Sequence, residues 1–442
     1  MEAELTGSLA NKQPQSGRAA QTSNMKVLFI SSSFPLPPHA GAKVALLETL
    51  GSIEALCELH LLVPTPEADG ETLDQALQER LPHTTVHYYR PQAAPSSALD
   101  KYATAALTTL PGRSYYAAFW MDKNLRQAAL DLWRQHDFDI VHSEWLHPAI
   151  ALKGLNLPVV VRTLDLHFAI LRDRAEVEVA DNKKLRKAYW RWEARRFRQY
   201  EIGLLNDALA TITVSPEDER ALRAEGVTNL VLIPPPVALP PLAPRAERAD
   251  GKCNALFLCV LHAYVNRESS FLFTDEIWPL VKAEARARVN VTFAGGQPDE
   301  GARRRAAECG IRIISSPSDE EARRLYAEAD IFLSPIKTGT GIKTKTLEAM
   351  SKAMPIIGFP NSFRGVPAEN GRDAVIAETN EEFARGFERL VADAAWRQRI
   401  GAAARAFIGT HFDPPTLGQR LVDTYAEALG RRQGGRRRAS GR

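Results

Sequence analysis

The sequence predicts an α/β protein built from two Rossmann-like, doubly wound domains that face each other across a cleft. Three observations support this fold class. Short apolar runs alternate with stretches of helical periodicity, a pattern typical of parallel sheets covered by helices on both faces. A proline-rich segment from Pro234 to Pro244 interrupts the alternation, which then restarts. A chain of 442 residues is also too long for one ordinary core, which favours two domains.

The first domain is expected to span residues 25–235. Residues 1–24 are polar and rich in Gly, Ser and Gln, and we interpret them as a disordered leader. The apolar run from Lys26 to Ser33 is followed by prolines, which predicts a buried strand that opens into a loop, with a helix from about Gly41. Further candidate strands cover residues 58–63, 139–142, 159–163 and 208–214.

The second domain is expected to span residues 251–429, after a proline-rich linker at 236–250. Proline lacks a backbone donor and cannot continue a central strand, so this linker marks the boundary. Candidate strands follow at 255–260, 289–294, 311–315, 331–334 and 355–358, and residues 430–442 are interpreted as a basic disordered tail. Two such domains place a ligand site between them, at the carboxyl ends of the strands.

Composition excludes several classes of protein. Hydrophobic residues make up 45% and charged residues 25% of the chain, so most of it should fold. The formal net charge of +3 is small, and much of the excess lies in the C-terminal tail, which argues against a nucleic-acid partner. The four cysteines are scattered and are expected to be reduced thiols in the cytosol. No apolar stretch is long enough to cross a bilayer.

The most informative segment runs from Ile331 to Met350 and is predicted to form a strand, a glycine-rich loop and a helix. Glycines let the backbone approach a ligand closely, and the free N–H groups at the start of a helix bind anions, so a diphosphate fits here. Glu348 is expected about one turn into the helix, where its carboxylate could hold ribose hydroxyls. The residues assigned to the donor site in this segment are Gly339, Thr340, Gly341, Ile342, Lys343, Thr344, Lys345 and Glu348.

The loop has two alternative interpretations. A P-loop requires glycine directly before Lys and Ser or Thr, but here Ile342 separates Gly341 from Lys343. A plain surface turn with solvated lysines remains an alternative, because a glycine-rich loop by itself is a weak signal.

The segment from Gly339 to Ile357 resembles the donor-site loop and helix of the retaining GT-B glycosyltransferases, especially family 4. The resemblance extends from Met25 to about Leu429 and includes Asn266, which it places in the donor site. It also places Gly41 in a loop that approaches the donor phosphates or the acceptor across the cleft; a plain strand-to-helix turn is the alternative. It implies a GT-B fold.

Thr340 departs from the family pattern. The family usually has two glutamates separated by seven residues, and Glu348 matches the second of them, whereas the first falls on Thr340. Threonine is shorter and uncharged, so this departure affects how the hydroxyls of the donor sugar would be held.

Asp165 and His167 are the candidates for catalytic groups near the reacting centre. They follow a strand that ends at Arg162 and Thr163, where relatives carry a similar sequence around a histidine. A helix-capping role for Asp165 remains open. For His167 the alternatives are a position lining the cleft and ordinary packing.

The other polar clusters are less specific. Asp137 and Asp139 form a D-x-D pattern, which we interpret as structural because a buried strand begins at Asp139. Glu144 and His147, beyond that strand, are expected to face the cleft and meet an acceptor. No cluster has convincing zinc spacing, so no metal site is predicted.

The segment from Lys183 to Tyr200 predicts a strongly basic and aromatic helix. Leu185, Tyr189, Trp192 and Arg196 follow helical spacing, and the simplest interpretation is a core-facing side with solvated arginines opposite. Docking on an anionic membrane surface is the alternative, which leaves open peripheral contact with the inner face of the membrane.

The resemblance implies glycosyl transfer from a UDP- or GDP-linked sugar to an acceptor hydroxyl, with retention of configuration. The acceptor would be a glycan, a lipid-linked compound or a small molecule, and no cofactor is expected. A nucleotide-sugar 2-epimerase and a catalytically silent GT-B partner or scaffold protein remain as alternatives.

Overall fold

A computed structural model of the chain describes residues 25–38, 41–66, 70–92, 114–177, 184–242 and 251–440. The predicted leader lies outside these ranges, as do residues 243–250 of the predicted linker and the last two residues of the predicted tail.

The first half of the chain forms a seven-stranded parallel sheet in the order β3-β2-β1-β4-β5-β6-β7. Its inner strand β1 contains an unbroken apolar run from Val27 to Ile30, because helices cover both faces of the sheet. Val27 and Phe29 pack into the core on one face, and Leu28 and Ile30 pack into the core on the other. The strands are β1 (Lys26–Ser31), β2 (Glu58–Pro64), β3 (Thr84–Tyr89), β4 (Ile140–Glu144), β5 (Val159–Thr163), β6 (Ala210–Thr213) and β7 (Leu230–Leu232).

The second half forms a six-stranded parallel sheet in the order β10-β9-β8-β11-β12-β13. The two sheets confirm the predicted doubly wound α/β architecture. The strands are β8 (Cys253–Cys259), β9 (Val289–Gly295), β10 (Arg312–Ser315), β11 (Ile331–Ser334), β12 (Ile356–Gly358) and β13 (Val375–Ile376).

Helices connect the strands in both halves. Those of the first half are α1 (Gly41–Ile53), α2 (Gly70–Arg80), α3 (Tyr115–Phe119), α4 (Lys123–Gln135), α5 (Leu146–Leu152), α6 (His167–Val177), α7 (Lys184–Asp207) and α8 (Pro216–Ala224). Those that follow are α9 (Tyr264–Phe271), α10 (Ala283–Ala287), α11 (Glu300–Glu308), α12 (Asp319–Glu328), α13 (Thr344–Ser351), α14 (Asn380–Ala392), α15 (Ala394–His411) and α16 (Pro414–Ser440). No helix among the described residues is long and apolar enough to span a membrane.

Three strands were not predicted from the sequence, namely β3, β7 and β13. Each lies at the edge of its sheet. An edge strand is only partly buried, so its side chains do not form the continuous apolar run that identified the central strands.

The last helix, α16, returns to the first half of the chain and packs along α1. The contact is close, because a Cβ atom added to Gly418 would lie 2.2 Å from the carbonyl oxygen of Ser52. Farther along, the Tyr425 hydroxyl bonds to Nδ1 of His142 in β4, at 2.8 Å. Helix α16 also continues to Ser440, so most of the segment predicted as a disordered tail extends this helix.

Polar contacts also join the two halves directly. The Arg364 guanidinium donates to Asp218 at 2.5 Å, and the N–H of Gly365 donates to Glu217 at 3.2 Å. The sheets therefore meet along a cleft whose walls are held in contact at one side.

Candidate functional site

The cleft between the two halves holds a cavity of about 850 Å³. Gly41, Val44 and Arg80 line it from the first half of the chain. Most of the predicted donor-site residues line this same cavity, namely Gly41, Asn266, Ile342, Lys343, Thr344, Lys345 and Glu348.

The predicted strand, loop and helix of the donor segment are confirmed as β11, the glycine-rich loop and α13. Gly339 and Gly341 have φ values of +99° and +71°, which favour glycine. A Cβ atom at Gly341 would lie 2.4 Å from Oδ1 of Asp165, so the loop passes against the first half of the chain. The Thr340 hydroxyl donates to this same oxygen at 3.3 Å. Thr340 thus links the loop to a candidate catalytic residue.

Lys343 precedes α13 and is held by the loop itself. Its ammonium donates to the carbonyl oxygens of Thr340, at 2.6 Å, and Gly341, at 3.1 Å. Burial lowers the pKa of Lys343 to about 8, and the nearby Asp165 carboxyl opposes that shift. A cation beside the free N–H groups of a helix start forms a site suited to an anion.

Glu348 lies in the second turn of α13, and its carboxylate accepts three hydrogen bonds. The donors are the Tyr326 hydroxyl at 3.0 Å, Lys345 at 3.0 Å and Lys352 at 3.1 Å. Burial raises the pKa of Glu348, but the two lysines outweigh it and hold the pKa below its usual value. Lys345 is therefore engaged with Glu348 rather than aligned beside Lys343.

Asn266 lies in α9, and Gly41 begins α1. The Asn266 amide donates to the Val260 carbonyl at 3.0 Å, which orients this side chain at the wall of the cavity. A Cβ atom at Gly41 would lie 1.7 Å from Oγ1 of Thr344. This position thus brings the start of α1 against the start of α13, as expected for a loop that reaches across the cleft.

Asp165 and His167 both lie at the start of α6, but they have different surroundings. Burial raises the pKa of the Asp165 carboxyl, against the opposing charge of Lys343. Burial lowers the pKa of His167 to about 4, so its ring is neutral at pH 7. The capping role considered for Asp165 belongs to Glu201, which accepts the N–H groups of His167 and Phe168 at 3.2 and 2.8 Å.

His167 belongs to a cluster of aromatic rings whose nitrogens are buried. The His147 ring stacks on Trp120 with centroids 3.7 Å apart, and His167 lies edge-on to His147 at 4.9 Å. Within the described part of the chain, Nε1 of Trp120, Nε2 of His147 and Nδ1 of His167 have no hydrogen-bond partner. A buried polar atom without a partner costs about 1–3 kcal/mol, so these three nitrogens favour a polar ligand.

Glu144 does not face the cleft, and the expectation that it meets an acceptor is wrong. Its side chain is fully buried in the first core. It bonds to Nε2 of His142 at 2.9 Å, and the Arg162 guanidinium lies 3.8 Å away. Arg162 is buried as well, and a buried cation is costly without a counterion. The Glu144 carboxylate supplies that counterion.

The structural interpretation of the D-x-D pattern is confirmed at Asp139. Its carboxylate accepts the N–H of Lys26 at 2.8 Å, at the beginning of β1.

The buried side of α7 differs from the predicted one. Glu193, Ala194 and Phe197 are buried, whereas the Trp192 ring is 41% exposed and lies under the Arg196 guanidinium. The predicted stripe through Trp192 is therefore displaced from the core side. Phe197 packs in an apolar cluster, and the Glu193 carboxylate accepts a hydrogen bond from Ser114, just before α3.

The cavity also includes His262 and Arg323, which the sequence did not identify. Arg323 lies in α12, a helix with several exposed charged residues, and no local pattern separates it from them. His262 follows β8 in a turn. Its position just after the end of a strand is the feature of the sequence that could have identified it.

Comparisons with known proteins agree with this geometry. Residues 59–239 match the family described as Glycosyltransferase Family 4, and residues 253–393 match Glycosyl transferases group 1. The chain is 23% identical to an uncharacterized 44.6 kDa protein in the cps region of Klebsiella pneumoniae, over 88% of this chain and 96% of that protein.

Solved structures share the fold at low identity. The chain resembles Anabaena HepE, solved in complex with UDP and glucose, with a TM-score of 0.60 and 14% identity, covering 91% of this chain and 100% of HepE. It also resembles sucrose-phosphate synthase from Thermosynechococcus elongatus, with a TM-score of 0.65 and 15% identity, covering 92% and 99% of the two chains. Residues 59–239 therefore form a Glycosyltransferase Family 4 domain and residues 253–393 a Glycosyl transferases group 1 domain, and together they have the fold of the GT-B glycosyltransferases.

Proposed function

We propose that this glycosyltransferase transfers a sugar from a nucleotide-diphosphate sugar to an acceptor hydroxyl with retention of anomeric configuration. The observation that carries the proposal is Lys343, a partly buried cation just before α13 on the wall of a large cleft. The diphosphate of the donor would lie against Lys343 and the free N–H groups of α13. A uridine nucleotide is the first choice, because HepE was solved with UDP; a guanosine nucleotide is the alternative.

The donor ribose would contact Glu348. Its carboxylate already accepts bonds from Tyr326, Lys345 and Lys352, so a ribose hydroxyl would replace one lysine contact. The freed Lys345 could then join Lys343 at the phosphates. In this arrangement Glu348 holds Lys345 before the donor binds, and then binds the ribose while Lys345 contacts the phosphates.

The reaction breaks the bond between the anomeric carbon and the β-phosphate oxygen, and forms a bond from that carbon to the acceptor oxygen. The acceptor attacks from the face that the diphosphate leaves, and its proton passes to the departing phosphate oxygen. Positive charge from Lys343 and the helix start stabilises the leaving group, which is electrostatic catalysis. Asp165, next to Thr340 of the donor loop, would orient the reacting groups.

The acceptor is proposed to enter beside the buried ring nitrogens of Trp120, His147 and His167. These nitrogens find no partner among the described residues, and His167 follows Asp165 by two residues in the chain. A neutral imidazole can donate or accept a hydrogen bond, so this cluster suits hydroxyl groups on a sugar-like acceptor.

Peripheral membrane contact is proposed for the exposed side of α7. Trp192 is 41% exposed, and Arg191, Arg195 and Arg198 are exposed around it. An amphipathic aromatic ring among arginines is typical of helices that lie on anionic bilayers, where a lipid-linked acceptor would be found. Of the lysine-rich segment before it, residue 183 lies outside the described residues.

Nucleotide binding tests the proposal directly. Melting temperatures and titration calorimetry with UDP, GDP, ADP and CMP should single out one diphosphate, because binding to the native state raises its stability. Glu348→Ala should weaken the binding of that nucleotide by about 1–3 kcal/mol through loss of charge-assisted hydrogen bonds. A matched control is Glu328→Ala, in an exposed position at the end of α12. Unchanged affinity in Glu348→Ala would reject the assignment.

Product analysis then separates the alternatives. Transfer should give an acceptor glycoside with the anomeric configuration of the donor, detected by NMR. A 2-epimerase would change the donor sugar without an acceptor, and a silent scaffold would bind nucleotide without consuming any donor. Either outcome would contradict the proposed transfer.

The reaction is also proposed to need no metal ion, since Lys343 and α13 supply the positive charge. Initial rates should be the same in EDTA as in added magnesium or manganese. Loss of transfer in EDTA, with recovery on adding a metal, would contradict this.

A further inference from the structure

Three histidines converge on the outer side of the first sheet, away from the cleft. His60 lies in β2, His87 in the neighbouring β3, and His136 follows the end of α4. One ring nitrogen from each lies within 4.8 Å of those of the other two. The three residues come from separate parts of the chain, and for this reason no motif spacing identified them.

The pair from the two strands is the closest. Nδ1 of His60 lies 2.9 Å from Nε2 of His87. Nitrogens bound to zinc at about 2.0–2.1 Å in a tetrahedral site lie about 3.3 Å apart. The three histidine nitrogens lie within 4.8 Å of one another, a distance longer than the spacing in a zinc site. Rotation of the half-buried His87 and His136 rings could close the difference, whereas His60 is 6% exposed and held by its surroundings.

The surroundings of His60 favour a ligand role for its Nδ1. Its other nitrogen, Nε2, lies 3.4 Å from the Glu58 carboxylate, and Lys26 pairs with the same carboxylate at 3.1 Å. A proton on Nε2 directed at Glu58 leaves the lone pair of Nδ1 available for a metal. Carboxylates commonly orient metal-binding histidines in this way.

We propose that His60, His87 and His136 form a zinc site, with water as the fourth ligand. Three neutral imidazoles suit Zn²⁺ among the common cellular metals. The site would join two strands to the end of α4 and so stabilise the first half of the chain.

The site would act apart from transfer. His136 precedes β4 and therefore lies at the amino-terminal edge of the sheet, whereas the cleft lies beyond the carboxyl ends of the strands. Zinc removal is thus expected to lower the melting temperature while leaving the initial rate of transfer unchanged.

Untagged, chelator-treated protein titrated with Zn²⁺ tests this proposal. Calorimetry should show one zinc bound per chain, and the melting temperature should rise with zinc. His87→Gln and His136→Gln should each weaken zinc binding at least tenfold, and Glu58→Gln about tenfold, as for other residues behind metal ligands. His83→Gln, at an exposed histidine just before β3, is the matched control and should bind zinc like the parent.

Cobalt supplies a second readout. Co²⁺ should give the visible bands of a tetrahedral nitrogen site in the parent protein, and these bands should be absent in His87→Gln. A strong thiolate-to-cobalt band would assign the metal to cysteines. Unchanged zinc affinity in both glutamine variants would mean that the three histidine rings pack together without binding a metal. Either result overturns the proposal.

Discussion

At Lys343, burial and charge have opposite effects on one ammonium group. Burial lowers its pKa to about 8, while the neighbouring Asp165 carboxyl favours the charged form. A diphosphate placed beside it would also favour the charged form. Donor binding is therefore linked to proton uptake at this residue.

This linkage predicts the pH dependence of nucleotide binding. Below pH 8 the free lysine is already protonated, so affinity is full. Above pH 8 the protein must take up a proton to bind, and affinity should fall by up to tenfold per pH unit. The measurement is calorimetry with UDP from pH 6.5 to 9.5.

Lys343→Arg is the matched variant, because an arginine keeps its charge across this range. Its affinity should change with pH only as far as the nucleotide itself titrates. Parallel pH profiles for the parent and the arginine variant would remove Lys343 from the phosphate site.

Trp120 allows a separate test of the acceptor side. Trp120→Phe keeps a ring to stack on His147 but removes the N–H that has no partner in the described chain. We expect the KM for the acceptor to rise about five- to fiftyfold, equivalent to about 1–2.3 kcal/mol for one hydrogen bond, with nucleotide affinity unchanged. Trp396→Phe, packed in the second core, serves as the control. Equal KM values in the two variants would contradict an acceptor contact at Trp120.

The sequence predicted the local structure of the donor segment better than the surroundings of polar residues whose partners are distant in the chain. Gly339, Gly341 and Lys343 belong to one local segment, and their loop and helix were predictable from spacing and glycine content. Glu144, by contrast, looked like a residue at the mouth of the cleft. Its burial depends on Arg162 and on His142, which in turn bonds Tyr425 from α16, and no local pattern reports such distant partners.

At the level of elements, the contact between α1 and α16 shows why one glycine is needed. Gly418 faces the carbonyl of Ser52 at a distance that leaves no room for a methyl group. Gly430, in the same helix, has nothing within 4 Å of an added Cβ atom. Alanine substitutions at the two positions therefore distinguish the effect of crowding from the effect of helix propensity.

Gly418→Ala should destabilise the protein by about 1–3 kcal/mol, because overpacking forces the helices apart. Gly430→Ala should stabilise it by about 0.5–1 kcal/mol, since alanine is the better helix former. Melting temperatures of the two variants are the measurement. A stabilising Gly418→Ala would show that α1 and α16 are not in close contact.

The elements themselves were predictable where burial was uniform. The inner strands β1 and β11 contain apolar runs buried on both faces, and each was predicted. The edge strand β3 mixes buried and exposed positions and carries His87 and two tyrosines, so composition did not separate it from a loop. The crossing of α16 depends on its packing partner, which only the folded chain reveals.

At the scale of the whole molecule, the two halves come close together where α1 begins. Gly41 lies against Thr344, and Arg364 pairs with Asp218 at another point of the boundary. Each half has an apolar core of its own, and a third core joins residues of both halves. Gly41 and Thr344 lie outside these cores, so a change there should alter the relative position of the halves more than the folding of either one.

Gly41→Ala tests this separation. Its methyl group would lie 2.7 Å from Cβ of Thr344 as well as 1.7 Å from Oγ1, so rotation of the threonine cannot relieve the overlap. The start of α1 must then move from α13, which widens the cleft at the donor phosphates. We expect turnover to fall at least tenfold and the radius of gyration in solution scattering to increase, with the melting temperature nearly unchanged.

Two further variants complete the test. Gly203→Ala, within α7 and with nothing within 4 Å of the added methyl group, should leave both radius and turnover as in the parent. Thr344→Gly removes the three Thr344 atoms nearest to the added methyl group, so Gly41→Ala combined with it should recover the compact radius even if turnover stays low. A Gly41→Ala variant with the parental radius and parental turnover would mean that the cleft works in a more open arrangement, in which α1 and α13 do not touch.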